Sequence, residues 1–167
     1  MTNRLVIPNS QILTSLYGEL PALDGLRLRS LQMNWRGPTV TLRVDLPVFP
    51  SRLPDEWAGS GVDTVQCHLQ FLAVTDLTLA VWDPPASAVS FDVGSVQGGD
   101  RVRVTAVAPG VDLAFTSSRS ALVGHVSAFR AGPDGSDAGR HLFAQALDRR
   151  RYESLPGPDE KNFYERL

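Results

Sequence analysis

The sequence predicts an α+β fold: a predominantly antiparallel β-sheet, curved or folded into two layers, with short helices near the N- and C-termini. Two observations predict it. Short runs of alternating apolar and polar residues recur along the chain, with turn residues between them. The 167 residues also include 14 glycines and 12 prolines, which implies many turns and argues against a helical bundle. A chain of this length suits one domain, which we expect to span residues 1–167.

The first predicted element is a short helix that Asn9 or Ser10 can cap. Gly18 would end this helix, because glycine accepts a left-handed conformation. The apolar residues that fall on one face of the helix are Ile12, Leu13, Leu16 and Tyr17. At the other end of the chain, a Pro-Gly-Pro break at residues 156–158 precedes Asp159, which can cap a terminal turn or short helix.

A β-hairpin is predicted next. Residues 26–35 alternate between apolar and polar, but the apolar phase flips near Ser30, which we interpret as a β-bulge. A Gly-Pro break follows at residues 37–38. A second alternating run begins at Thr39 and ends at Pro47, which has no amide hydrogen to donate. The two runs should pair as antiparallel strands.

The remaining residues predict a loop and several further strands. Prolines and glycines are frequent in residues 47–61, so this segment should be a loop held by burial of Phe49 and Trp57. The clearest two-residue alternation covers residues 64–73. Later strands are predicted at residues 77–81, 89–93, 102–104, 111–115 and 121–130. Residues 141–152 fit neither period well, so strand and helix both stay open there.

Composition limits the classes of function. The formal net charge of −2 and the isoelectric point of 5.9 leave no large basic field, so nucleic acid and acidic membranes are not expected partners. The single cysteine, Cys67, excludes an intrachain disulfide and fits a reducing compartment, so we expect a cytoplasmic protein. The N-terminal sequence is not typical of a secretion signal, and no run approaches the roughly 20 apolar residues of a membrane span.

No metal or cofactor site is predicted. The soft candidate ligands are Cys67, His68, His125 and His141. Cys67 and His68 are neighbours on a predicted strand, so their side chains should point to opposite faces, and we expect a structural cysteine and surface histidines. Residues 134–139, within a polar loop, superficially resemble a calcium loop. Gln145 stands where the bidentate glutamate would belong, which favours an Asx turn instead.

No catalytic signature is present either. The chain has no nucleophile elbow, Walker loop or dinucleotide fingerprint, and its carboxylates are more typical of solvated charge than of an acid–base pair. The basic cluster at residues 149–152 is flanked by acids and should be a solvated or salt-bridged edge. The three tryptophans, Trp35, Trp57 and Trp82, each lie near a proline, and we interpret them as core or loop anchors.

A polar stripe on one strand is the candidate partner-binding surface. Four alternate residues would form an uncharged, hydrogen-bonding row across one sheet face, which we expect to be exposed to solvent: Thr64, Gln66, His68 and Gln70. Arginines of other strands, among them Arg101 and Arg103, would supplement this row where their strands adjoin it. The residues that we predict to contact a partner are Arg27, Arg29, Arg43, Gln66, His68 and Gln70.

Four stretches of the sequence carry a family resemblance: residues 28–30 leading into 34–43, residues 65–72, residues 124–130 and residues 163–166. Through them the chain resembles the immunity protein 50 family of bacterial polymorphic-toxin systems along its full length. What the resemblance implies is a folded cytoplasmic inhibitor without catalytic activity, which binds a cognate toxin domain and occludes it. The near-neutral charge indicates no particular class of toxin.

Two other functions stay open. The first is a small-ligand or carbohydrate-binding β-rich module that uses Trp35, Trp57 or Trp82 as a stacking surface, and buried indoles would count against it. The second is a hydrolase whose acid–base groups meet only in three dimensions. The sequence defines neither the toxin, nor the surface that binds it, nor the oligomeric state.

Overall fold

The computed structural model describes residues 5–145, and antiparallel β-sheet dominates them. The described residues form nine strands, β1 to β9: Arg27–Asn34, Thr39–Asp45, Thr64–Phe71, Thr75–Trp82, Ser90–Ser95, Arg101–Ala108, Val111–Ser118, Ala121–Phe129 and Leu142–Phe143. The same residues contain one helix, α1 (Gln11–Tyr17). The predominantly antiparallel prediction is confirmed, whereas the helical part is smaller than an α+β fold implies. The helix predicted near the C-terminus lies outside the described residues.

The strands form two sheets. The first sheet has five strands in the order β1-β2-β3-β8-β9, and the second has four in the order β4-β7-β6-β5. The consecutive strands β3 and β4 lie in different sheets, and so do β7 and β8. The chain therefore leaves the first sheet after β3, builds the second sheet, and returns to place β8 beside β3.

β1 and β2 pair as the predicted hairpin, and Asn34 opposite Thr39 is the last pair before the turn. The register shifts between Leu28 and Ser30, so the bulge predicted from the change of apolar phase is confirmed. Leu28 is fully buried, whereas Met33, beyond the bulge, is 43% exposed. The distal end of the hairpin therefore projects past the core.

The core lies between the two sheets. Phe71 of the first sheet contacts Phe115 of the second edge to face, with ring centroids 5.1 Å apart, and its ring lies 6.4 Å from that of Phe91. All three rings are buried. Aromatic contacts of this geometry add to the stabilisation from buried apolar area, so this trio joins the layers near their centre.

The N-terminal segment packs against the first sheet. α1 contributes Leu13 and Leu16 to the core and is followed by Gly18 in a left-handed conformation. The side-chain amide of Asn9 donates to the carbonyl oxygen of Val123 at 2.7 Å, and its carbonyl oxygen accepts from the amide of Val123 at 3.0 Å. These paired hydrogen bonds fasten the start of the chain to β8.

The long segment 47–61 is irregular, as predicted, and Trp57 anchors it. This indole is 2% exposed and belongs to the core, and its backbone amide donates to the carbonyl oxygen of Pro54 at 2.9 Å. Of residues 141–152, the described part contains the two-residue strand β9, which pairs with β8. Residues 146–152, which include the basic cluster, lie outside the described residues.

Candidate functional site

The first candidate site is the predicted polar stripe together with the arginines that supplement it. The structure places the six predicted contact residues on three adjacent strands. Across β2 and β3, Arg43 is paired with His68 and Asp45 with Gln66. Gln70 follows two positions further along β3, while Arg27 and Arg29 come from β1. The two other arginines considered, Arg101 and Arg103, lie on β6 in the second sheet and do not join this surface.

The expected solvent exposure of the stripe is wrong. Gln66 and His68 are fully buried, and Arg29 is 9% exposed. The reason is the segment that follows β8, which folds back over this face and brings Asp137 against Gln66. Arg27, Arg43 and Gln70 keep partial exposure at the margin. The stripe is thus largely an internal surface of the described chain.

An ion pair lies at the centre of this buried surface. The Arg29 guanidinium donates two hydrogen bonds to the Asp45 carboxylate, at 2.9 and 2.5 Å, and both side chains are less than a tenth exposed. Gln66 donates to Asp45 at 2.7 Å and to Asp137 at 3.1 Å. Bidentate geometry and an added amide donor offset much of the cost of burying both charges.

The same guanidinium holds the covering loop. Arg29 donates to the carbonyl oxygen of Gly135 at 2.7 Å, and Arg27 donates to the same oxygen at 2.9 Å. Gly135 has φ of 79°, and a Cβ there would collide with the Arg27 guanidinium. Next to it, the amide of Ser136 donates to the Asp134 side chain at 3.0 Å, which confirms the predicted Asx turn.

Asp137 connects this ion pair to the margin of the sheet. Its carboxylate oxygens lie 3.5 Å from Arg29 and 3.7 Å from Arg43. Burial acts to raise the pKa of Asp137, but the hydrogen bond from Gln66 and the charges of Arg29 and Arg43 outweigh it and hold the pKa below its usual 3.8. Asp137 is therefore ionised at neutral pH and fastens the loop electrostatically.

The three histidines are buried, so the prediction of surface histidines is wrong. The rings of His68 and His125 meet edge to face at 4.8 Å, and His125 has φ of 52° within β8. His141 stacks on Phe129 at 4.7 Å, and its Nδ1 lies 2.8 Å from the Ser127 hydroxyl. Among residues 5–145, no group of three or more histidine, cysteine or acidic side chains is arranged to hold a metal ion.

Ser127 and His141 are residue types that form nucleophile–base pairs, but a substrate could not reach them here. Ser127 is fully buried and His141 is 3% exposed. His141 Nε2 contacts the backbone carbonyl oxygen of Asp137 at 3.1 Å. Burial lowers the pKa of His141, so that the neutral ring is the form packed here. We interpret the pair as part of the loop attachment, since a nucleophile must meet its substrate.

The second candidate site is the hairpin tip, residues 33–38. The turn was predicted, but the exposure of its tryptophan was not. Trp35 was expected to be a core or loop anchor, yet it is 88% exposed, and its neighbour Met33 is 43% exposed. Trp35 follows Asn34, the last paired residue of β1, so no opposing strand covers it. Its place inside the predicted turn was the signal that could have revealed this. Trp57, by contrast, is buried as expected.

A cleft of about 410 Å³ adjoins the tip. It lies between the β1–β2 turn and the start of β4, and its lining includes Met33, Trp35, Pro38, Val74, Asp76 and Leu77. Exposed Trp and Met beside such a cleft are the residue types that protein interfaces and ligand sites favour. The tip thus presents large apolar groups for binding, and Trp35 is the most exposed large hydrophobic residue of the described chain.

A comparison with known proteins bears on these sites. A family model described as immunity protein 50 matches residues 9–122, more than half of the chain. The match includes the hairpin tip and ends at the start of β8, so two of the stretches that carried the sequence resemblance, 124–130 and 163–166, lie beyond it. No curated protein and no solved structure matches the chain. Within residues 5–145, no helix has the length and apolar character of a membrane span.

Proposed function

The chain belongs to the immunity protein 50 family, and from this premise we propose that it binds a cognate bacterial polymorphic toxin and neutralises it without catalysis. The single observation that carries the proposal is the family match across residues 9–122. The inhibitor would act by occlusion: its rigid surface would cover the part of the toxin that binds the toxin's own target.

Two features of the structure support binding by a preformed surface. The layers are joined by buried aromatic contacts, so little ordering is needed when a partner arrives. Under the covering loop, Arg29 and Asp45 are engaged with each other through two hydrogen bonds. An inhibitor of this kind needs surface shape and a few anchors, not a reactive group.

The experiment that tests the proposal is co-expression with the toxin-domain protein encoded by the neighbouring gene. We expect that protein alone to arrest growth, and this chain to restore growth and to co-purify with it. A harmless neighbouring product, or a chain that neither binds nor protects, would overturn the proposal.

Stoichiometry tests the non-catalytic part. A tight-binding inhibitor removes toxin activity in proportion to the amount added, with an end point at a fixed molar ratio. An enzyme that modifies the toxin would instead work at a small fraction of that ratio and continue to act with time. Titration of purified toxin activity against this chain separates the two modes.

Two elements of the proposal concern location and contact residues. We propose that the protein acts in the cytoplasm, where its buried Cys67 suits a reducing environment. We also retain the three predicted contact residues that are partly exposed, Arg27, Arg43 and Gln70, as a second surface that contacts the toxin. Arg43→Glu should slow association if this surface takes part.

A ligand-binding module is the second candidate function, because Trp35 is exposed beside a cleft. Stacking on an exposed indole is a common way to hold a sugar or nucleotide. Titration of tryptophan fluorescence with sugars and nucleotides tests it. Saturable shifts that Trp35→Phe abolishes, with dissociation constants below about 1 mM, would favour this function, and unchanged emission would remove it.

A further inference from the structure

We propose that the hairpin tip, residues 33–38, is the anchor that holds the toxin: Trp35 enters an apolar pocket on the toxin, and Arg36 pairs with a carboxylate at the rim of that pocket. This inference rests on the proposed function and names the surface and the partner chemistry through which it is carried out. The partner surface is a concave, apolar patch of a folded protein with an acidic border.

The exposure of Trp35 is the first observation. An indole that is 88% exposed keeps nearly all of its apolar surface in water, and Met33 beside it is 43% exposed. Burying such a side chain in a partner releases more hydrophobic free energy than burying any other residue type of the tip. Trp is also the residue type most enriched among side chains that dominate binding energy.

The second observation is that the tip is held in place before any partner binds. The side-chain oxygen of Asn34 accepts from the amide of Arg36 at 2.9 Å, which closes the turn. The amide of Val74 donates to the carbonyl oxygen of Pro38 at 2.9 Å, which ties the turn to the segment leading into β4. Gly37 provides the left-handed conformation that the turn requires, with φ of 94°. A preorganised anchor loses little conformational entropy on binding.

The charges of the tip define the border of the partner pocket. Arg36 is exposed, and within residues 5–145 the ion pairs are made by Arg29 and Arg43, so Arg36 has no carboxylate partner there. Asp76 is the acidic residue in the lining of the cleft. Arg103 donates to the Asp76 carbonyl oxygen at 2.9 Å, so the Asp76 side carries both signs of charge. A partner carboxylate would therefore be attracted to Arg36, which biases the orientation of docking.

The test compares two tip variants with two matched controls, using the purified toxin-domain protein of the neighbouring gene as the probe. The tip variants are Trp35→Ala and Arg36→Glu. The controls are Val48→Ala, at an exposed apolar residue of another loop, and Arg52→Glu, at an exposed arginine of that loop. Binding is measured by calorimetry or surface kinetics, protection by co-expression, and folding by thermal melting.

We expect Trp35→Ala to weaken binding at least about 30-fold through faster dissociation and to abolish protection, with an unchanged melting temperature. Arg36→Glu should slow association about tenfold at low salt and reduce its salt dependence. Both controls should stay within about threefold of the wild type.

Three results would overturn the inference. If the wild type protects and Trp35→Ala binds within about threefold of it, the tip is not the anchor, although the proposed function stands. If the wild type is a dimer in sedimentation and Trp35→Ala is a monomer with unchanged toxin binding, the occupant of the tip is a second copy. If the wild type neither binds nor protects, the proposed function fails and this inference fails with it.

Discussion

Replacement of Asp45 by alanine should be the most damaging single change to the buried polar surface, because it leaves the Arg29 charge without its bidentate partner. The carboxylate receives hydrogen bonds of 2.9 and 2.5 Å from Arg29 and of 2.7 Å from Gln66, and the two charged side chains are 5% and 7% exposed. Without Asp45, Arg29 would keep its hydrogen bond to the Gly135 carbonyl oxygen, a longer contact of 3.5 Å to Asp137 and the Phe129 ring, whose centroid lies 5.5 Å away.

The expected loss follows from this geometry. Removing one partner of a buried pair costs about 3–5 kcal/mol of unfolding free energy. For a chain of this size, 1 kcal/mol corresponds to about 2–4 °C in melting temperature, so Asp45→Ala should melt about 6–20 °C lower. Asp137→Ala is the matched control, because Asp137 is 23% exposed and its ion pairs are longer; it should cost about 1 kcal/mol.

Urea unfolding followed by tryptophan fluorescence, to which the buried Trp57 contributes, measures both losses. A double variant, Arg29→Met with Asp45→Leu, should recover much of the free energy, because it removes the stranded charge. The neighbours keep second partners in that variant: Arg27 still donates to the Gly135 carbonyl oxygen, and Gln66 still donates to Asp137. A loss below about 1 kcal/mol for Asp45→Ala, or a double variant less stable than the single one, would refute the reasoning.

Three further outcomes are expected. Burial lowers the pKa of His141 below its usual 6.5, so the stability that the neutral ring contributes is complete above about pH 6.5 and is lost as the pH falls below that value. His141→Gln should flatten this part of the pH profile of the unfolding free energy, and an unchanged slope would contradict it. Gly110 and Gly37 have φ of 92° and 94°, but a Cβ at Gly110 would lie 3.0 Å from the carbonyl oxygen of Asp83, whereas Gly37 faces open space. Gly37→Ala should cost about 1–2 kcal/mol from the left-handed conformation, and Gly110→Ala should cost more in the same denaturation assay; equal losses would argue against the steric contribution. Burial raises the pKa of Cys67 to about 12, so the native thiol should react with a disulfide reagent only as fast as the chain opens, and rapid native labelling would disprove this.

The local elements were predictable because their signals are local. The alternation in β1 and β2 gave the hairpin, and the phase change at Ser30 gave its bulge, since a strand that changes face must gain a residue. A two-layer arrangement was one of the predicted alternatives, but the assignment of strands to each sheet was not predictable. Whether β4 continues beside β3 or crosses to another layer depends on pairings with β7, which begins 29 residues after β4 ends.

The expected exposures of Gln66 and Trp35 were wrong in opposite directions for a common reason. Gln66 was interpreted as exposed because its side chain is polar, but Asp137 covers it from 71 residues away in sequence. Trp35 was interpreted as a core or loop anchor because it lies near a proline, but the pairing of β1 with β2 ends at Asn34, just before it, and the indole is exposed. The polarity of a side chain predicts its burial only when the segment that packs over it is known. A single sequence does not show which distant segment that is.

The position of β8 beside β3 has a consequence for when the first sheet can be completed during synthesis of the chain. β3 obtains its second neighbour only when residues 121–129 have left the ribosome, because β8 is the strand that lies beside it. Until then one edge of β3 has unpaired backbone groups, and an unpaired strand edge can cause aggregation of a nascent chain. At about 5–20 residues per second, translation must proceed for several seconds before this edge can close. A message cut short before codon 121 should therefore yield a polypeptide that aggregates or is degraded.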